Sequence, residues 1–386
     1  MSTEIRPFRI DVPQADLDDL TDRLARTRWP RRLPGGWNRG VPVARLRELA
    51  EYWRTAFDWR AQEARLNGLP QFLTEIDGQR IHFLHVRSPE PDALPLVITH
   101  SWPNSVAEFQ QLVRPLTDHG FHVVAPSLPG FGYSMFPEPA DERPWTAERV
   151  ARTWAELMAR LGYERYGAHG NDAGAVVSPH LALVDAEHLV GVHMTGGVGI
   201  PTGDPRELEG LTDDDRAGER LAELFAGGSG YGTYLANRPQ TLAYGWLDSP
   251  VAQLAYLVER LAEFDGWPGG EDALLPHLDR DQLLTTASLY WFTGTGGSSS
   301  WTYYDGAAGM PIDQAVVPTG VSHGGPDAFR RIAERNNEIT HWSGLEAASH
   351  MVAMVDAERL AADIGEFFAK LGRPGRGTRP GRSTTC

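Results

Sequence analysis

Short apolar runs closed by Gly, Pro or Ser alternate along the middle of this chain with segments of helical periodicity, and that alternation constrains the fold more than any other feature. Ile81 to Val86, Leu96 to His100 and His122 to Pro126 read as buried strands. A helix follows with Thr146 as N-cap, Val150, Trp154, Leu157 and Leu161 on one face, and Gly162 as its stop. Strand texture resumes at Glu164 to Ala168 and Leu189 to Met194. It returns at Ala315 to Val321 and Glu338 to Trp342, ahead of an amphipathic helix over Asp356 to Lys370. Two further amphipathic helices lie near the start: Leu17, Leu20 and Leu24 on one, then Leu46, Leu49, Trp53 and Phe57 on the other. Strands alternating with helices predict an α/β fold, a mostly parallel sheet with helices on both faces.

The 386 residues divide on texture into five parts. These are an N-terminal helical region over 1–80 wrapping the core, a first core part over 81–200, a helical cap over 201–300, a second core part over 301–371, and a disordered tail over 372–386. The cap stretch opens at Thr212-Asp213-Asp214-Asp215, a capping-box-like start, and is rich in aromatics, with Trp246, Trp267, Trp291 and Trp301 serving either as its core or as cavity lining. Lys and Arg total 36 against 51 Asp and Glu, a net −15, so the field repels phosphate backbones and anionic surfaces and no nucleic-acid partner is expected. The single cysteine, Cys386, cannot form an internal disulfide, and there is no cysteine cluster for zinc or iron and sulfur. Neither an apolar leader in the first thirty residues nor a run of eighteen apolar residues is present, so a cytoplasmic protein without a membrane span is expected.

The stretch that carries chemistry is Tyr166-Gly167-Ala168-His169-Gly170-Asn171-Asp172-Ala173-Gly174, between a predicted strand and a predicted helix. Alone, Gly-x-Asp-x-Gly is an ordinary turn. In a strand–turn–helix setting it fits a nucleophile elbow, whose small flanking residues let the central side chain project from the sheet's edge. Here that residue is a carboxylate. It is ionised at pH 7 and needs no base to attack carbon, and the resulting ester can be hydrolysed later. Thr99-His100-Ser101-Trp102-Pro103 follows a strand, where a loop can offer the N–H of Trp102 to pair with that of Ala173 as an oxyanion hole. His350 stands between a strand and the last helix, the place for a base, and Asp327 follows the preceding strand, where an acid belongs in that chain order.

Taken together, the His100-Ser101-Trp102-Pro103 loop, Pro126-Ser127-Leu128-Pro129-Gly130-Phe131-Gly132, Gly170-x-Asp172-x-Gly174, Arg238-Pro239-Gln240-Thr241 with Asp248-Ser249-Pro250, Val317-Pro318-Thr319-Gly320-Val321 and His350 resemble microsomal-type epoxide hydrolases. Arg6-Pro7-Phe8, Thr27-Arg28-Trp29-Pro30 and Tyr52-Trp53-Arg54 resemble that family's N-terminal region, so the likeness spans about residues 5 to 370. Asp58 to Asn67 and Phe83 to Pro89 are most similar to actinomycete enzymes from enediyne antibiotic pathways. The resemblance implies an α/β-hydrolase fold with a helical cap, Asp172 as nucleophile, His350 as base, Asp327 as the acid behind it, and Tyr231 and Tyr304 as the paired phenols. The chain departs from the pattern at Ser101, Asn171 and Ser349, where glycine is usual, and at Ala173, where tryptophan is usual.

The implied reaction needs no metal or organic cofactor. Its expected substrate is a small-molecule epoxide, bulky and aryl-bearing if the tryptophans line the cavity, and its product is a vicinal diol. A homodimer is compatible with these features. A haloalkane dehalogenase, sharing the aspartate and histidine, and an inactive binding protein of the same fold remain alternatives.

Overall fold

The computed structural model describes residues 3–196, 230–265, 279–306, 316–322, 327–335, 337–344 and 349–372. Thr212 to Asp215, Trp267, Ala315 and the tail from 373 onward lie outside the described residues. Among those described, nine strands form one sheet: β1 (Arg6–Phe8), β2 (Gln71–Ile76), β3 (Gln79–Val86), β4 (Leu94–Thr99), β5 (Phe121–Pro126), β6 (Tyr166–Asn171), β7 (Leu189–Thr195), β8 (Thr319–Ser322) and β9 (Ile339–Ser343). Their spatial order is β1-β2-β3-β5-β4-β6-β7-β8-β9. The six strands from β5 to β9 in that order run parallel, and β1, β2 and β3 join them antiparallel.

The N-terminal region is therefore not purely helical, as its texture suggests. It holds α1 (Gln14–Ala25), α2 (Val43–Thr55) and α3 (Trp59–Leu66), but it also contributes β1, β2 and the start of β3 to the sheet. The β2–β3 turn is Asp77-Gly78, with φ of 52° and 76°, the left-handed pair that a two-residue hairpin requires.

Alternation along the parallel strands sends side chains to two cores. Leu94, Leu96 and Ile98 of β4, with Phe121, Val123 and Ala125 of β5, pack with Leu116 of α4 (Val113–Asp118) and with Leu360, Ile364, Phe367 and Phe368 of the C-terminal helix over Ala357–Lys370. Val97 and Val124 point the other way, toward α5 (Ala147–Arg160), α6 (Ala173–Val184) and the N-terminal helices. Thr146 caps α5 as expected, its side chain accepting from Arg149 N. Trp154 of the same helix donates its indole N–H to Thr99 Oγ1 at 3.1 Å, pinning α5 at the tip of β4.

A second helical layer comprises α7 (Gly230–Leu235), α8 (Pro239–Asp248), α9 (Pro250–Phe264), α10 (Arg280–Thr293), α11 (Gly296–Ser299) and α12 (Trp301–Tyr304). It continues past residue 300, since α12 packs on α7 and α8. After it come α13 (Asp327–Ala333), α14 (Val352–Val355) and α15 (Ala357–Lys370). Among the described residues no helix is long and apolar enough to cross a membrane.

Candidate active site

Strand β6 ends at Asn171 and α6 begins at Ala173, leaving Asp172 on the corner between them at φ 53°, ψ −117°. A non-glycine residue with positive φ costs on the order of 1–3 kcal/mol and persists only where its surroundings enforce it. Two glycines make the enforcement possible. A Cβ on Gly170 would lie 2.1 Å from Gly174 O, and one on Gly174 would lie 2.1 Å from Thr99 O, so only glycine lets strand, turn and helix pass this closely.

The corner aims the carboxylate at two main-chain donors. Asp172 Oδ1 accepts from Trp102 N at 2.9 Å and from Ala173 N at 2.6 Å, the two N–H groups expected from the sequence. Its other oxygen, Oδ2, lies 3.5 Å from His350 Nε2, longer than an ordinary hydrogen bond, and that nitrogen is buried without a hydrogen-bond partner. Burial alone would lower the imidazole pKa. The nearby carboxylate of Asp172, then the charges of Glu108 and Asp265, outweigh it, and the net shift is upward.

Glu108 was not singled out by sequence reasoning. It is 1% exposed, and its Oε2 accepts from Ser101 N at 2.9 Å and Ser101 Oγ at 2.6 Å, which fixes the residue just before Trp102. Burial pushes its carboxyl up to about 7, against the Ser101 hydrogen bonds and His350, which lower it.

Aromatic residues cover the opposite side. Tyr231 stacks on Trp102 with ring centroids 5.8 Å apart and 12° between planes, and Tyr303 meets Trp102 edge-on at 4.9 Å. Tyr231 and Tyr303 are 5.7 Å apart and nearly perpendicular. Burial, followed by the charge of Asp172 and contact with Tyr231, raises the Tyr303 phenol well above its ordinary value and keeps it protonated.

Tyr304, the expected second phenol, is elsewhere. It is 63% exposed and lines a surface cleft of about 340 Å³ with Phe136, Trp145, Arg238 and Trp301. Neighbouring helical residues point about 100° apart, so the single turn α12 presents only one of its two tyrosines to Trp102. Tyr303 takes that place. Asp327 begins α13, and its side chain lies outside the described part. Of the aromatics considered as cavity lining, Trp246 is buried in the main core and Trp301 stacks on Phe136 at 5.4 Å.

A separate buried set, His193, His341 and Asp363, holds its ligating atoms within 4.8 Å of one another, close enough for a metal ion. Its protons are otherwise assigned. The Lys370 ammonium donates to His341 Nδ1 at 2.8 Å, so His341 Nε2 carries a proton and donates to Asp363 Oδ1 at 2.9 Å. His193 Nε2 donates to Asp363 Oδ2 at 3.0 Å, and its Nδ1 faces His169 Nδ1 at 3.0 Å.

The epoxide hydrolase N-terminus family matches residues 5–109, and the alpha/beta hydrolase fold family matches 95–227. A Stigmatella aurantiaca protein whose name proposes an epoxide hydrolase is 40% identical, over 95% of this chain and 85% of that protein. Epoxide hydrolase 1 of Sus scrofa is 29% identical over 95% of this chain and 89% of its own length. Among solved structures, juvenile hormone epoxide hydrolase from Bombyx mori superposes with a TM-score of 0.83 at 26% identity, covering 96% of this chain and 95% of that one. Aspergillus niger epoxide hydrolase gives 0.81 at 26% identity, covering 95% and 97%. With an aspartate at the elbow and this extent of shared sequence and fold, the chain belongs to the epoxide hydrolase family, on the α/β-hydrolase fold.

Proposed function

We propose that the chain opens a bulky, aryl-bearing epoxide to a vicinal diol through an ester on Asp172. The observation that carries this is the division of labour between the two oxygens of Asp172: Oδ1 is held by two main-chain donors, while Oδ2 is left facing His350 at 3.5 Å.

In the first step Oδ2 attacks a ring carbon, the carbon–oxygen bond breaks, and the departing alkoxide takes a proton from Tyr231 or Tyr303. Phenols are protonated at pH 7, so both can donate. In the second step His350 takes a proton from water, and the hydroxide adds to the ester carbonyl. The charge on Oδ1 is held by Trp102 N and Ala173 N, donors of a kind worth about 3–4 kcal/mol each in the transition state. Collapse breaks the bond between the Asp172 carbon and Oδ2, the departing alkoxide takes the proton of the added hydroxyl to complete the diol and restore the carboxylate, and the imidazolium proton returns to the phenolate. Asp327 is assigned to orient His350.

An epoxide hydrolase with this site, acting in the cytoplasm on an intermediate of enediyne-type antibiotic biosynthesis, accounts for the sequence features quoted above. Residues 201–300, with α12, act in this scheme as the cap that brings the phenols over the core.

The test is a single turnover in H₂¹⁸O with an aryl epoxide. Because water adds to the ester carbonyl, the first-turnover diol carries no label and the Asp172 peptide does. Label in the first diol would mean direct attack by water. A dehalogenase would use indole N–H groups for the departing halide, and Trp102 Nε1 is buried without a hydrogen-bond partner. The paired phenols favour the epoxide, and halide release from bromoalkanes separates the two.

A further inference from the structure

We infer that Asp265, the residue that follows α9, is a second positioning residue of the base, gripping His350 through its main chain from the second helical layer while Asp327 is assigned to the imidazole. This rests on the two-step route proposed above.

His350 N donates to Asp265 Oδ1 at 2.8 Å. Ser349 Oγ donates to the same carboxylate, 2.9 Å from each oxygen, and in turn accepts from Met351 N at 3.1 Å. The carbonyl of His350 is held as well, by Asn171 Nδ2 at 2.9 Å. The base is thus fixed at both its N–H and its C=O. Ser349 and Asn171, which make two of these contacts, stand at positions where the family pattern has glycine. A glycine at 349 has no hydroxyl to offer Asp265, and one at 171 has no amide to offer His350. Phe264, the last residue of α9, packs against the imidazole with centroids 4.9 Å apart and against Tyr231 at 5.9 Å. Arg260, one turn earlier, places its guanidinium 4.5 Å from the centre of the Tyr231 ring. One helix end therefore seats both the base and a phenol.

Charge-assisted hydrogen bonds to a carboxylate are about twice as strong as neutral ones, and a displacement of about 1 Å at a reacting group can cost about a hundredfold in rate. Ring opening uses Asp172 and the phenols, whereas ester hydrolysis also uses the imidazole. Loss of the Asp265 grip should therefore slow the second half-reaction selectively.

The experiment is single-turnover kinetics with an aryl epoxide, following epoxide loss and the alkyl-enzyme by intact mass. Asp265→Ala should alkylate within about twofold of wild type and hydrolyse its ester at least about tenfold more slowly, so that adduct accumulates. Asp265→Asn keeps an acceptor for the His350 amide and should recover hydrolysis to within about threefold. Ser349→Ala removes the hydroxyl's hydrogen bonds to Asp265 and from Met351 N without touching a helix end, and should show a milder form of the same selective defect at unchanged Tm. Equal slowing of both half-reactions, no slowing of either, or an asparagine variant as slow as the alanine overturns the assignment. His350→Gln is the control: it should trap the ester on Asp172. If it forms no adduct, the two-step route falls and takes the assignment with it. If it forms the adduct while Asp265→Ala clears its own ester at the wild-type rate, only the assignment falls.

Discussion

Strand β6 feeds two histidine–carboxylate systems, one buried and one part-buried, that differ in how completely their hydrogen bonds are closed. His169, inside the strand, joins the set His193, Asp363, His341 and Lys370, in which both carboxylate oxygens and both ring nitrogens of His193 and His341 have partners at 2.8 to 3.0 Å. Asp172, just past the strand's end, joins a set that leaves His350 Nε2, Asn171 Oδ1 and Glu108 Oε1 buried without hydrogen-bond partners. The closed set has the shorter histidine–carboxylate distances, 2.9 and 3.0 Å against 3.5 Å. Close approach of histidine to carboxylate therefore does not mark the reactive site. What marks it is unused hydrogen-bonding capacity beside a strained backbone, because a saturated network has no atom left for substrate.

The sharpest way to break this contrast is to remove one carboxylate from each set. Asp172→Asn should fold with an unchanged Tm and lose at least about a thousandfold in turnover, since no other group in the site supplies the covalent bond. Retention of a tenth of the wild-type rate in a clean preparation would end the nucleophile assignment. Asp363→Asn should do the reverse. Leaving the buried histidine donors without their charged acceptor costs about 3 kcal/mol, readable by urea unfolding, while kcat per folded molecule stays within about twofold. A large loss of kcat at unchanged stability would mean that the closed set takes part in the reaction.

The tyrosines sharpen the comparison within the site. Tyr303→Phe should slow ester formation by about tenfold to a hundredfold, the second phenol sharing the load, and Tyr304→Phe should change it by less than about twofold. Stopped-flow alkylation measures both, and the opposite ranking would mean that α12 turns its other face to the substrate.

Local chemistry decided how much was legible beforehand. Asp172, Ala173 and Trp102 could be read because a strand, a glycine-flanked turn and a helix are contiguous in sequence, and the structure brings them within hydrogen-bond distance. Most core strands showed as apolar runs for the same reason. The edge strand β1 and its neighbour β2 did not, because partial exposure interrupts their pattern with Arg6 and Glu75; the Asp77-Gly78 turn was the signal that could have revealed β2. A four-residue helix has no periodicity to separate Tyr303 from Tyr304. Glu108 and Asp265 acquire meaning only through contacts made by the folded chain, with Ser101 and with Ser349 and His350, the second pair lying 84 and 85 residues away in sequence.

The smallest effect is the most specific, because the two sets should respond to pH with opposite sign. Burial raises the Glu108 carboxyl from 4.5 to about 7, so its contribution to stability is fully present below about pH 4.5 and is lost as pH rises through about 7. Burial also acts to raise Asp363, but hydrogen bonds from His193 and His341 outweigh it and hold this carboxyl well below its ordinary range. Its contribution is therefore present above about pH 4 and is lost as pH falls. Glu108→Gln abolishes the first dependence, so its Tm relative to wild type should improve by about 2–4 °C between pH 5 and pH 8. Asp363→Asn abolishes the second, so its deficit should be largest near neutrality and narrow by a similar amount between pH 5 and pH 3. Calorimetric scans across that range on both variants give the two difference curves. Slopes of the same sign would show that the open and closed sets are electrostatically alike, and that the unpartnered oxygen of Glu108 does not set it apart.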